Sequence, residues 1–286
     1  MAVSAAMRRA TQVALEATPG AGGTVDKRFS SFGLEPSMNI QTGQVTPMGQ
    51  TAPTAGWIAY EDSAFSVEGG ILDYREVDYA LQSAVKKVTA TTPVGATDAR
   101  QRVYTVSQFA SDPFQTYKIE VGDSGGVNRG QTALNCAFDS WGFEVSSGDT
   151  VVAMSGSLLG GALADGTMTT SGVTQLDSLP VLPQHVTLKY AATFAGLSAG
   201  TEITNDFTCS FNITDRRALY RFLGLADGSA SGTVETTPGF EFELTLADET
   251  APVDTWMTNA RAGTKQFFRV EFTGPEIEED FDNIFR

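Results

Sequence analysis

Residues 122–126 read Gly-Asp-Ser-Gly-Gly, a string with the form of a nucleophile loop. A serine there would attack a carbonyl while backbone N–H groups held the oxyanion, provided a base stood within hydrogen-bond reach. No histidine precedes Ser124, and the one histidine of the chain, His185, lies downstream in a proline-rich linker. The string therefore reads as a glycine-rich loop closing a strand. A lone His185 also falls short of a zinc site, which needs several His or Cys at fixed spacing. Cys136 and Cys209 are far apart, with no C-x-x-C pattern. Cys209 falls on the inward phase of its strand, so it reads as a small core residue in a reducing compartment, with one disulfide left open. Glu278, Glu279, Asp280 and Asp282 supply carboxylates without the sharp-turn glycine of a calcium loop. Neither a Walker A pattern nor a dinucleotide-binding glycine pattern is present. The expectation is no catalytic residue, no metal site and no cofactor.

Composition narrows the class further. The formal net charge of −15 argues against wrapping nucleic acid, because phosphate neutralisation needs Lys and Arg. It fits a surface that DNA passes without sticking. The 18 Phe can fill a core of ordinary size, and 29 Gly with many Thr and Ser favour strands and turns. No apolar run approaches the length of a bilayer span, and residues 1–15 lack the apolar stretch of a secretory signal.

Two stretches organise the chain. Residues 63–88 read as a short strand, a Gly69–Gly70 break, then a helix with Asp73 as N-cap and Glu76 three residues on. Val77, Leu81, Ala84 and Val88 give that helix one apolar stripe. Residues 205–224 repeat the plan: Phe207, Cys209, Phe211 and Ile213 alternate, Asp215 caps a helix carrying Leu219, Phe222 and Leu223, and Gly224 ends it. Laid over each other, the units match at Phe65/Phe207, Ile71/Ile213, Asp73/Asp215, Arg75/Arg217 and Leu81/Leu223, which predicts a duplicated chain. Residues 113–123 and 238–248 match likewise as strands, each with Pro at its start and Asp at its end. Residues 131–148 and 150–160 form two strands around a Ser-Ser-Gly-Asp turn. Residues 101–109 read as one more strand. Residues 5–16 read as a short helix, residues 42–56 as a long mobile loop, and Phe281, Ile284 and Phe285 as a helical tail.

The predicted organisation is an N-terminal arm at 1–22, a first β unit at 23–165, a second at 166–275 and an acidic tail at 276–286. The fold class is mainly β: antiparallel sandwich or barrel units, each with a short flanking helix.

Residues 13–29, 63–81, 207–224 and 233–249 together resemble the major tail tube proteins of long non-contractile bacteriophage tails. The resemblance implies a homo-oligomer: stacked rings of six chains, or of three chains with pseudo-six-fold symmetry. A long hairpin from each unit would join a central β-barrel through which DNA passes without specific binding. It also implies tape measure and tail terminator proteins as partners, no membrane, assembly in the bacterial cytoplasm and residence in the virion tail. Glu144, Asp149 and Glu202 are the acidic residues whose strand phase suits such a lumen. A different class is a carbohydrate- or surface-binding β-sandwich module, using an exposed cluster of Trp57, Trp141 and Trp256.

Overall fold

A computed structural model describes residues 9–46, 48, 51–52, 55–107, 111–123, 130–203, 206–221, 232–246, 258–259, 261–278 and 281–285. In chain order the elements are β1 (Arg9–Leu15), β2 (Lys27–Arg28), β3 (Gly33–Val45), β4 (Ala55–Glu68), helix α1 (Val77–Ala84), β5 (Tyr117–Asp123), β6 (Gly130–Ser146), β7 (Ala153–Gly160), β8 (Ala164–Gly166) and β9 (Thr174–Gln175). The second half continues with β10 (Val186–Ala191), β11 (Thr201–Ile203), β12 (Phe207–Thr214), β13 (Arg217–Tyr220), β14 (Gly232–Glu235), β15 (Gly239–Leu246), β16 (Phe267–Glu278) and β17 (Phe281–Phe285). The fold is mainly β, in several sheets, with no closed barrel among the described residues.

Strand β6 is the spine. Along one edge it pairs with β7 and then β8, the two joined by Gly161 N–H donating to Leu134 O. Its other edge splits. The N-terminal part, as far as Cys136, pairs with β5, and the part from Trp141 onward pairs with β12. Asn135 has φ of 55°, a left-handed conformation that Asn tolerates, and a register shift follows between Phe138 and Ser140. The bend sends β6 through two sheets. One runs β8-β6-β5-β1-β2-β9; the other, β3-β4-β7-β6-β12-β15, is antiparallel throughout. A third sheet, β11-β10-β16-β17, packs through Phe272 edge-on to Phe143 at 5.1 Å. The core is continuous from Val13 and Tyr117, through Phe65, Phe138 and Trp141, to Cys209 and Phe272.

Helix α1 buries Val77, Ala80, Leu81 and Ala84. The N-cap residue is Glu76, which makes no side-chain cap bond, and not Asp73; Asp73 caps the preceding turn, Oδ1 accepting from the N–H groups of Arg75 (2.8 Å) and Glu76 (3.3 Å). Glu76 does not complete a capping box. Its carboxylate instead accepts from the N–H and hydroxyl groups of Ser30 and Ser31, tying the β2–β3 turn to the helix.

Five predicted elements differ, one of them the 42–56 segment, which is largely strand. Residues 9–15 form β1, paired along its whole length with β5, and Val13 and Ala14 are buried. The predicted helix is overridden because the apolar pattern serves a sheet interior. Asp215 is no helix cap: its φ is 53°, where an N-cap residue is extended, and the chain continues as β13 against β14. Gly224 lies outside the described residues. Residues 101–107 are not a strand, because Arg102 and Tyr104 both reach the Asp78 carboxylate on α1 and tie the segment to the helix. The tail is strand rather than helix, β17 folding back on β16.

The split edge of β6 is closed by the turn that was expected to start a helix. Phe138 N–H donates to Ser83 Oγ at 2.8 Å, and Asp139 O and Oδ1 accept from the N–H groups of Arg216 and Arg217. Both arginine side chains then cover the last carbonyls of α1. Arg216 Nε and Nη2 donate to Ala84 O and Val85 O at 3.1 Å, and Arg217 Nη2 donates to Ser83 O at 3.0 Å. A helix end leaves such carbonyls unpaired and carries partial negative charge, so cations fit there. Arg216 is 1% exposed and is neutralised by Glu235 (2.5 Å) and Asp112 (3.5 Å), with Lys86 2.9 Å from Asp112.

Arg216→Met strands Asp112 and Glu235 and frees two carbonyls, so a loss of about 3–5 kcal/mol is expected in urea unfolding. Burial pushes the Asp112 carboxyl up, but the Ser107 N–H, Lys86 and Arg216 together outweigh it and hold it below its ordinary value of 3.8. The folded value is thus below the unfolded one. The contribution of Asp112 is fully present above the unfolded value and is lost as pH falls through the folded one. The stability gap between the wild type and Asp112→Asn, wide at neutral pH, should close below about pH 4. Cys136 and Cys209 are buried free thiols. Burial pushes Cys209 up to about 12 and Cys136 higher still, with Glu16 adding to the rise at Cys136. Thiol reagents should label both only on unfolding, and reductant should leave Tm unchanged.

Candidate assembly surface

The long loop expected at 42–56 is largely strand. β3 and β4 pair from Gly33↔Glu68 out to Val45↔Ala55 as one extended hairpin. Only its root belongs to the body, since β7 pairs with β4 at Ser63–Ser66 and no farther. Beyond Ser63 the hairpin is a two-stranded ribbon whose outer edges have no strand partner among the described residues. Such a ribbon alone in water is marginal.

Its composition is unusual for so acidic a chain: from Pro36 to Tyr60 there is no charged residue. One face continues the apolar row that starts with buried Leu34, through Pro36, Met38 and Ile40. Ile58 joins that face opposite Thr42. Met38 is 47%, Ile40 43% and Ile58 58% exposed, so the row leaves the core and stays uncovered. On the other face the Trp57 indole lies over Gly43, where an added Cβ would come within 2.5 Å of the ring. A register shift separates Gln41↔Tyr60 from Thr42↔Ile58 and bends the ribbon there.

Among the described residues the opposite margin of the same six-stranded sheet is also open. β15 pairs only with β12, with Phe242 opposite Phe211 and Phe240 opposite Ile213. Phe240 and Phe242 share the inward face and are half exposed. The sheet thus has two uncovered edges, each with an apolar row on the core side.

The face turned away from the core is polar and acidic. Ala153, Glu144, Ser210 and Glu243 lie side by side across β7, β6, β12 and β15, and Ser155, Gly142, Asn212 and Glu241 form the next row. None of the six strands contains a lysine or arginine. The other sheets do, at Lys27, Arg28, Lys118, Lys189 and Arg269.

Of the three acidic residues singled out from strand phase, only Glu144 lies on this face. Asp149 sits in the β6–β7 turn, its Oδ2 accepting from Ser146 N–H at 2.8 Å. Glu202 is on the third sheet, opposite Lys189. Glu241 and Glu243, which the sequence reading missed, carry the same alternation on β15 and join Glu144 only through register. Asp73 and Glu76 are loop anchors inside the fold.

The two described tryptophans do not gather. Trp141 is buried in the core, Trp57 is on the ribbon, and Trp256 lies outside the described residues. Ser124 also lies outside them, just beyond the end of β5. His185 Nδ1 accepts from Leu182 N–H at 3.3 Å and stands 3.4 Å from Tyr74 OH, a packing role at the linker. Among the described residues no group of three or more His, Cys, Asp or Glu is placed to hold a metal ion, and no helix is long and apolar enough to cross a membrane. No protein-family model matches the chain, and no match is found among curated proteins.

Gly43→Ala forces the Trp57 ring off the ribbon. Because the site is outside the core, the expected result is a shift in tryptophan emission with a stability change under about 1 kcal/mol in the same denaturation curve.

Proposed function

We propose that the chain is a structural subunit of a phage tail tube, whose copies join into closed, stacked rings around a passage for DNA. The observation that carries the reading is the six-stranded sheet with two edges open among the described residues and no basic residue in its strands. Exposed edges are an aggregation liability unless another chain completes them. The strand count is even and the sheet antiparallel, so β3 and β15 run in opposite directions. Copies related by rotation would therefore set β15 of one against β3 of the next as an ordinary antiparallel pair. The apolar rows, Met38 and Ile40 on one side and Phe240 and Phe242 on the other, would meet on the core face. Pairing β15 with its own copy would crowd Glu241 and Glu243 against themselves, whereas β3 is uncharged beyond Glu35. Head-to-tail contacts of this kind close into rings when the rotation allows. The acidic face would then line the passage, where the strands offer a polyanion no lysine or arginine and Arg221, which reaches that face after β13, is engaged by Asp62.

The binding-module reading needs a shared aromatic face, and buried Trp141 cannot contribute to one.

Purified protein should form rings or tubes by negative-stain microscopy. Ile40→Lys and Phe242→Lys, at the two edges, should each abolish them while leaving the subunit Tm within a few degrees. A wild-type chain that stays monomeric at every concentration tested would overturn the reading.

A further inference from the structure

The ribbon is held at its root by one basic side chain from the other half of the chain. Arg221 follows the last residue of β13 and reaches across to β4. Its guanidinium pairs with Asp62 Oδ2, and its Cζ lies over the Tyr60 ring, 3.9 Å from the centroid. Tyr60 and Asp62 are two residues apart on one strand and so share a face. They fill the short interval between Ser63, where β7 lets go of β4, and Ala59, the unpaired residue of the register shift. Asp62 is 6% exposed, and its Oδ1 has no hydrogen-bond partner, so Arg221 carries the neutralisation of that carboxylate.

We propose that Arg221 is a positioning residue that sets the angle at which the ribbon leaves the body, and thereby the direction in which the uncovered β3 edge is presented. The proposal rests on the assembly reading for its purpose. Its physical basis does not. A two-stranded ribbon beyond the last cross-strand partner can swing, and a bulge adds a bend. A planar cation that engages a carboxylate with one edge and an aromatic ring with its face fixes two successive same-face residues at once. Lysine, a point charge on a flexible stem, would hold the charge but not the plane. The brace also links the halves, because β13 carries Arg217 on the end of α1 at one terminus and is followed by Arg221 on the ribbon at the other.

The test is amide hydrogen exchange on the unassembled subunit, comparing peptides from β4, α1 and β6. Arg221→Met combined with Asp62→Asn removes the pair without leaving a stranded charge. Exchange over residues 55–62 is expected to rise at least tenfold while α1 and β6 keep their protection. Arg221→Lys should recover part of that protection. Ring formation by the double variant should slow several-fold at unchanged Tm. Wild-type exchange over 55–62 overturns the brace, as does a loss of protection spread equally over α1 and β6. Because exchange is read before assembly, a wild type that never forms rings would sink the assembly reading and leave this result to stand by itself.

Discussion

Between Cys136 and Trp141 one edge of β6 belongs to neither of the strands that flank it, and the fold depends on how that gap is closed. Backbone groups buried without partners are costly, so a strand that splits between two sheets needs something to fill the fork. Here the filler is polar and comes from both halves: Ser83 from α1, and the Arg216 and Arg217 amides from the turn after β12. The same arginines cover the carbonyl end of α1, which has no basic residue in its own last turn. One node therefore closes the sheet, caps the helix and attaches the second half to the first.

Buried acids serve a related purpose across the molecule. Glu16 accepts from the N–H groups of Gly20, Gly22 and Asn135; Glu120 holds Thr169; Asp73 and Glu76 pin segments on either side of α1. Part of the negative charge is thus internal, spent on backbone donors that would otherwise lack partners. The acids left outside are sorted as well. Lysine and arginine are absent from the strands of the six-stranded sheet and present in the other three sheets, so that sheet's outer face is acidic where the others are mixed.

Much of this was legible from alternation. The β6–β7 hairpin with its Ser-Ser-Gly-Asp turn, the strand phases of β5, β12 and β15, the existence of helix α1 and the inward Cys209 all follow from local pattern. What misled was similarity between segments whose surroundings differ. Asp73 and Asp215 sit in matching strings. Asp73 meets free amides and caps a turn; Asp215 adopts a left-handed conformation because the arginines after it are drawn to the fork in β6. Residues 9–15 have no strong preference of their own, and the neighbouring β5 decides their state. The ribbon looked like a loop because strands without a buried face lack the alternation by which strands are recognised.

The sequence by itself determined that this is an acidic β protein built around a few alternating strands and one short helix, because those properties depend on side-chain type and on spacing within a few residues. It also determined that the segment from Pro36 to Tyr60 is uncharged. Only the tertiary structure decided that this segment is a ribbon projecting from the body, that Glu144, Glu241 and Glu243 share a face, and that two edges of one sheet have no strand partner among the described residues. In this sheet register and edge exposure arise from pairings between residues up to 97 positions apart, and no local pattern encodes which strand will be left without a neighbour.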